Sequence, residues 1–208
     1  VALTPTTVTT DPMTNETRAR AATPVRIDVV TTRGGDGGQT SLGSGARVSK
    51  ASLRIELLGA LDEANASIGM IGAIIGPDHA RTAVLHRVQS LLFDLGGLLC
   101  MPDRHPDAAM GPAVLGWLEA ETEALRVVQP PLRSFVLPGG SPAAAAAHVA
   151  RVTVRRAERV MAALSEGEFV PPEALQITNR LSDFFFVLAR HFNDDGRADV
   201  PWVPGASG

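Results

Sequence analysis

Ser141-Pro142-Ala143-Ala144-Ala145-Ala146-Ala147-His148-Val149-Ala150-Arg151-Val152-Thr153-Val154-Arg155-Arg156-Ala157-Glu158-Arg159 is the stretch that decides how this chain is built. Serine is a favoured N-cap because its hydroxyl accepts from a free N–H of the first turn. Proline fits the first helical position, where its missing N–H is not needed. The alanines that follow carry the lowest helical cost of any residue. A long helix therefore begins after Leu137-Pro138-Gly139-Gly140 and runs to about Leu164.

Four more helices lie around it. About Pro172–His191 is helical and is broken by Asn193-Asp194-Asp195-Gly196. About Pro112–Val128 is amphipathic and closes at Pro130-Pro131. About Arg81–Cys100 carries Val84, Leu85, Val88, Leu91, Leu92, Leu95 and Leu99 on one wide face, and Met101-Pro102 ends it. About Leu53–Ile75 repeats Leu57, Leu61, Ala64, Ile68 and Ile71 at a helical period and stops at Gly76-Pro77. Long helices with short connections suit an antiparallel arrangement. The expectation is all-α: a five-helix up-and-down bundle.

Composition agrees. The chain has 208 residues, 45% of them apolar, with no Tyr, seven Phe and two Trp. Sandwiches and barrels lean on β-branched and aromatic residues, so helices packed on helices are favoured. The length suits one domain with tails. The formal net charge of −3 argues against a general nucleic-acid binder, which would be strongly basic. No uninterrupted apolar run approaches the roughly 18–20 residues of a membrane span. A cytoplasmic protein is expected. Cys100, the single cysteine, rules out an internal disulfide and reads as a small hydrophobe.

Residues 1–24 are Thr-rich and aperiodic and are expected to be a disordered tail, with Met13 read as the natural start. The domain is expected over 25–193, opening with a β-like run Val25–Val30. A loop follows over 31–50, containing Thr31-Thr32-Arg33-Gly34-Gly35-Asp36-Gly37-Gly38-Gln39-Thr40. Its glycines cannot form a helix interior and let backbone N–H groups approach a ligand closely. It lacks the Gly-Lys-Ser/Thr ending of a Walker A loop and does not match the dinucleotide fingerprint. Residues 194–208 form a C-terminal tail expected to close over the site.

Three polar constellations stand out. Arg151, Arg155 and Arg159 fall at i, i+4 and i+8 on one helix face, with Arg156 and Glu158 beside them. Stacked guanidiniums repel unless an anion is present, and their planar forks suit phosphate. A solvated face or a subunit salt-bridge ladder explains the spacing equally well. Asn179 and Asp183 lie one turn apart on the fifth helix, where a paired polar seam is the plainer reading. Asp62 and Asn65 sit inside the first helix, where Asp and Asn are helix-neutral at best, so a partner is expected, most plausibly an arginine. No Glu-x-x-His pair for a di-iron bundle and no Gly-x-Ser-x-Gly elbow occurs.

Taken in order, six motifs carry a resemblance. Thr32–Thr40, Arg47-Val48-Ser49-Lys50, Gly59-Ala60-Leu61-Asp62-Glu63-Ala64-Asn65, Phe135-Val136-Leu137-Pro138-Gly139-Gly140, Arg155-Arg156-Ala157-Glu158-Arg159 and Asn179-Arg180-Leu181-Ser182-Asp183 together resemble the PduO-type ATP:cob(I)alamin adenosyltransferases. The likeness covers about Arg26–Trp202. It implies a homotrimer of five-helix bundles with active sites between subunits. It implies transfer of the 5′-deoxyadenosyl group of ATP to the cobalt of cob(I)alamin, giving adenosylcobalamin and triphosphate. The substrates are then ATP and cobalamin, with Mg²⁺ carried on the ATP phosphates and no protein metal site.

The resemblance also implies roles. Thr32, Arg33, Gly34, Gly35, Thr40 and Ser41 would fold over ATP, and Lys50 would reach its phosphates. Arg155, Arg156, Glu158 and Arg159 would hold the nucleotide, with Asn179 completing the pocket. Asp62 would pair with Arg151 across the subunit boundary. Phe135 would face the corrin and keep the lower axial position of cobalt empty. Gly34 stands where the loop usually carries a side chain and is expected to loosen it; Thr178 replaces a typical Leu. A reductase and an adenosylcobalamin-dependent enzyme are expected partners. The alternative is a non-catalytic, ATP-gated adenosylcobalamin escort.

Overall fold

The computed structural model describes residues 31, 33–102 and 110–206. The chain divides into two compact units, Val1–Arg33 and Gly34–Gly208. Of the first, only Thr31 and Arg33 are described, Arg33 with a φ of 56°. The Val25–Val30 run, the N-terminal tail and Thr32 lie outside the described residues.

The second unit is the helical bundle. It opens with a hairpin of β1 (Gln39–Ser41) and β2 (Arg47–Ser49), followed by α1 (Leu53–Ile75), α2 (Thr82–Leu99), α3 (Pro112–Arg126), α4 (Pro142–Ser165) and α5 (Pro172–His191). The strands pair antiparallel, with Thr40 opposite Val48. The glycine-rich reading of 31–50 as a plain loop is corrected here: β1 and β2 are too short and too polar to show a period. At α4 the N-cap is as expected, Ser141 Oγ accepting from Ala144 N at 3.1 Å.

Helix α4 packs against α1 and α5, α2 lies on the far side of α1, and α3 on the far side of α5. Helices α1 and α2, α1 and α4, and α4 and α5 run antiparallel, whereas α3 runs parallel to α5, Glu119 meeting Arg180 and Gln129 meeting Val187 further along both. Asn65 of α1 exchanges hydrogen bonds with Gln89 of α2, and Ser67 meets Thr153 of α4 at 2.9 Å. Helices α2 and α3 also touch, where the Arg87 guanidinium lies 3.9 Å from the Trp117 ring centroid. That is the geometry of a cation–π contact. The core is the shared interior: Leu57, Ile68, Leu92, Leu95, Phe184 and Phe185 are all fully buried or nearly so. Burying each such side chain contributes about 1.5–3 kcal/mol. Thr178 is fully buried, its hydroxyl returned to Ala174 O and Leu175 O at 3.0 Å, so a polar residue replaces leucine without an unpaired group.

Helix α1 is the one described helix that is long and apolar enough to cross a membrane, with a mean hydropathy of 1.2. It is a bundle helix instead. Asp62 and Glu63 interrupt it, and Leu57, Ala60, Ala64, Ile68 and Ile71 are buried in the core.

Arg54, 4% exposed at the start of α1, gathers four helix ends. It donates to Glu168 Oε2, in the α4–α5 turn, at 2.9 and 2.6 Å, and to Leu99 O at the end of α2 at 2.7 Å. The starts of α1 and α5 and the ends of α2 and α4 therefore lie at one end of the bundle.

Candidate active site

The hairpin builds a small cradle at that end. A Cβ on Gly35 would sit 2.8 Å from Lys50 Nζ, so the ammonium lies directly over the Gly35 backbone, and a side chain there would push the end of the lysine aside. Lys50 N donates to Gly38 O at 2.9 Å. Arg47 donates to Gly34 O at 2.7 Å and to Ser41 Oγ at 3.2 Å. Gly34, Gly35, Ser41 and Lys50 are thus gathered, with half-buried Thr40 in β1 between them. Arg47 also pins Gly34, where the missing side chain was expected to loosen the loop. Gly43 N donates to Cys100 O at 3.1 Å and to Cys100 Sγ at 3.0 Å, fixing the hairpin to the end of α2. Cys100 is therefore an acceptor at a joint rather than a plain hydrophobe.

A polar seam runs between α4 and α5. Asn179 Nδ2 donates to Glu158 Oε1 at 3.0 Å, and Arg180 Nη1 donates to Asn179 Oδ1 at 2.9 Å. Arg180 also holds Glu119 of α3 at 2.9 Å. Burial pushes the Asp183 carboxyl above its ordinary range; Arg180 and Arg155 pull against this and Glu158 reinforces it. Arg155 and Arg159 are exposed, Arg159 reaching the Arg155 carbonyl at 3.2 Å. Arg156 stands apart from the expected nucleotide set. It is turned to α1, paired with Glu56 at 2.7 Å and with Glu63, because a step of one residue turns it about 100° around the helix from Arg155.

At the other end, the C-terminal tail pairs with the segment before α4. Ser134 Oγ donates to Trp202 O at 2.6 Å, Trp202 N to Phe135 O at 2.8 Å and Leu137 N to Val200 O at 2.9 Å. This lays Trp202 beside Phe135, with ring centroids 6.2 Å apart. The two rings, with Leu132, Phe186, Val203 and Arg151, line a cavity of about 850 Å³. Phe135 is 80% exposed, beside exposed Leu132, Trp202 and Val203, a contiguous apolar patch of the kind that marks a binding surface. Phe192 does not share this wall: its ring meets His79 at 5.9 Å and His191 at 5.7 Å.

Two groups in this region are buried without partners. Arg151 Nε has none among the described residues, and both ring nitrogens of His148, one turn before it on α4, have none either. Burial lowers the Arg151 pKa, and Arg155 adds to this. Burial, then Arg151, holds the His148 imidazole below its ordinary value, while Asp199 acts the other way. Asp62 is exposed on α1, and within one chain no ion pair among the described residues joins it to Arg151.

A buried polar lock that the sequence did not reveal holds the tail in place. Arg190 Nε donates to Asp199 Oδ2 at 2.7 Å, with side-chain exposures of 6% and 4%. Asn193 Nδ2 donates to Asp199 Oδ1 at 3.2 Å and to Gly139 O at 3.1 Å, and Ser141 N donates to Asn193 Oδ1 at 3.0 Å. A Cβ on Gly140, whose φ is +98°, would lie 2.1 Å from that Oδ1. The Pro-Gly-Gly turn is therefore what lets Asn193 reach the start of α4. The lock fixes the Phe135 backbone against the tail.

Residues 30–192 match the family model of cobalamin adenosyltransferases. The chain belongs to the cobalamin adenosyltransferase family. It is 42% identical over 189 residues to a corrinoid adenosyltransferase of Mycobacterium tuberculosis, covering 87% of this chain and 96% of that one. It is 44% identical over 180 residues to a cobalamin adenosyltransferase of Cupriavidus metallidurans, covering 85% and 95%. It is also similar to a variant PduO-type ATP:corrinoid adenosyltransferase from Lactobacillus reuteri, solved in complex with cobalamin and ATP. That likeness has a TM-score of 0.79 and 32% identity, and covers 85% of this chain and 97% of the other. As a family member the chain is a corrinoid adenosyltransferase, moving the adenosyl group of ATP to cob(I)alamin.

Proposed function

We propose that one chain supplies two half-sites, and that a neighbouring copy completes each. The observation that carries this is their separation. The hairpin cradle is anchored where α2 ends, whereas the Phe135 cavity lies where α4 begins. Helix α4, about 36 Å long by its residue count, runs from one end of the bundle to the other. Arg151, on the cavity wall, and Arg155 and Arg159, beyond it, follow one another along this helix at steps of one turn. A homotrimer in which the glycine hairpin of one subunit reaches the Arg face of the next would bring ATP and corrin together. Exposed Asp62 on the neighbour would then meet the unpaired Arg151 guanidinium.

In this arrangement Gly34, Gly35, Thr40, Ser41 and Lys50 hold the triphosphate. Arg155, Glu158, Arg159 and Asn179 hold the nucleotide from the helix. Arg156 supports them from behind by tying α4 to α1. Mg²⁺ enters on the phosphates, whose oxygens are its natural ligands, and adds to the neutralising charge.

Co(I) attacks the 5′ carbon of ATP and forms the cobalt–carbon bond as the bond to the triphosphate oxygen breaks. No protein nucleophile is needed. The protein aligns cobalt with carbon, stabilises the leaving charge with Lys50 and Arg155, and keeps water out. Phe135 stands against the lower face of the corrin and excludes an axial donor. Loss of that donor raises the reduction potential and makes Co(I) accessible, the usual lever of axial ligation.

The test is anaerobic. Purified protein, MgATP and chemically reduced cob(I)alamin should give adenosylcobalamin and triphosphate in equal amounts. Tight binding of ATP and adenosylcobalamin without turnover would mean an escort instead. Lys50→Ala should raise the KM for ATP, and a sedimentation mass of one chain would remove the shared-site arrangement.

A further inference from the structure

We propose that a second cavity, sharing the 132–136 segment with the aromatic one, seats the phosphodiester of the nucleotide tail on cobalamin's lower face. This rests on the reading above, in which Phe135 meets that face. The cavity is about 370 Å³ and is lined by Pro130, Pro131, Arg133, Arg190, Arg197 and Asp199 among others. Its charge balance is one-sided: three guanidiniums face a single carboxylate. Arg190 and Asp199 neutralise each other at 2.7 Å. Arg197 leans on Asp194 at 3.4 Å, an exposed pair that holds it weakly. Arg133 has no ion pair or hydrogen bond among the described residues, and it lines both cavities.

The chemistry of the substrate supplies a reason for that free cation. A phenyl ring against the lower face of cobalt leaves no room for the nitrogenous base. The base is tethered to the corrin through a ribose and a phosphodiester, so its release swings one fixed negative charge away from the metal. The tail then either trails in water or finds a cation near the ring that displaced it. Arg133 is two residues before Phe135. Its planar fork can give two parallel hydrogen bonds to the phosphodiester oxygens, and Arg197 lines the same cavity. The site would recognise corrinoids that carry a nucleotide tail over those that lack one.

The experiment compares cobalamin with cobinamide, whose corrin lacks the nucleotide, in wild-type protein and in Arg133→Gln. A charge-assisted hydrogen bond of ordinary strength predicts a rise of about tenfold or more in the KM for cobalamin. Its kcat, the KM for cobinamide and the KM for ATP should stay unchanged. Unchanged cobinamide turnover also shows that the variant has folded. Equal changes for both corrinoids, or none for cobalamin, would overturn the proposal. A rise confined to ATP would overturn it too, since the cation would then serve the triphosphate. Wild-type protein inactive with both corrinoids would remove the adenosyl-transfer reading, and the proposal with it.

Discussion

Replacing Asp199 with leucine tests the lock that holds the Phe135 wall. In the native chain Arg190 Nε donates to Asp199 Oδ2 at 2.7 Å and its Nη2 to Pro130 O at 2.9 Å. Asn193 donates to the second carboxylate oxygen at 3.2 Å. The side chains of the ion pair are 6% and 4% exposed, so Asp199→Leu leaves a buried guanidinium without its counter-charge and removes one bond of Asn193. Breaking a buried pair from one side costs about 3–5 kcal/mol. At about 2–4 °C per kcal/mol for a chain of this size, the melting temperature should fall by about 6–20 °C. Arg190→Met with Asp199→Leu removes both charges and should recover much of the loss. The assay is thermal unfolding at one fixed protein concentration, because subunit association also shifts the midpoint. A single variant melting within about 2 °C of the parent, or a double variant no better than the single, would refute the reasoning.

Other perturbations separate the parts of the site. Gly140→Ala should destabilise by more than about 1 kcal/mol, since its φ of +98° is strained for alanine and the Cβ would strike Asn193; chemical denaturation reads this. Phe135→Ala should spare ATP affinity in calorimetry yet cut turnover by about tenfold or more, in line with the loss of a positioning group. Asp62→Arg should weaken self-association in light scattering, and adding Arg151→Asp should restore it in part. His148 is buried neutral, with its pKa held below the ordinary 6.5, so its stabilisation is complete above pH 6.5. It is lost as pH falls below that value, because the unfolded chain takes up the proton first. His148→Gln should flatten the fall in melting temperature between about pH 7 and pH 5.

The helices were legible because their ends are written locally. Gly76-Pro77, Pro112, Ser141-Pro142 and Pro172 each act on their own turn, and the apolar periods between them need no partner to be read. The Arg face of α4 was legible as a face, but not the turning of Arg156 toward Glu56 and Glu63, which depends on which neighbour α1 presents. The hairpin escaped because its strands hold only three residues each. The lock escaped for a different reason. Asn193 meets Gly139 and Ser141 across more than fifty residues, and Arg190 meets Pro130 across sixty. Nothing in the local pattern of Asn193-Asp194-Asp195-Gly196 distinguishes such a role from an ordinary helix stop.

Because Asp199 and Trp202 lie so near the C-terminal end of the described chain, chain order becomes an order of assembly during synthesis. The hairpin, α1 and the α2 end that anchors it all leave the ribosome well before the tail. The hairpin can therefore take shape early, while the Phe135 wall stays unpaired until α5 and the residues after it have emerged. On the proposed reading, a nascent chain in that state holds only the hairpin's share of the nucleotide site and has no wall to shelter so strong a nucleophile as Co(I).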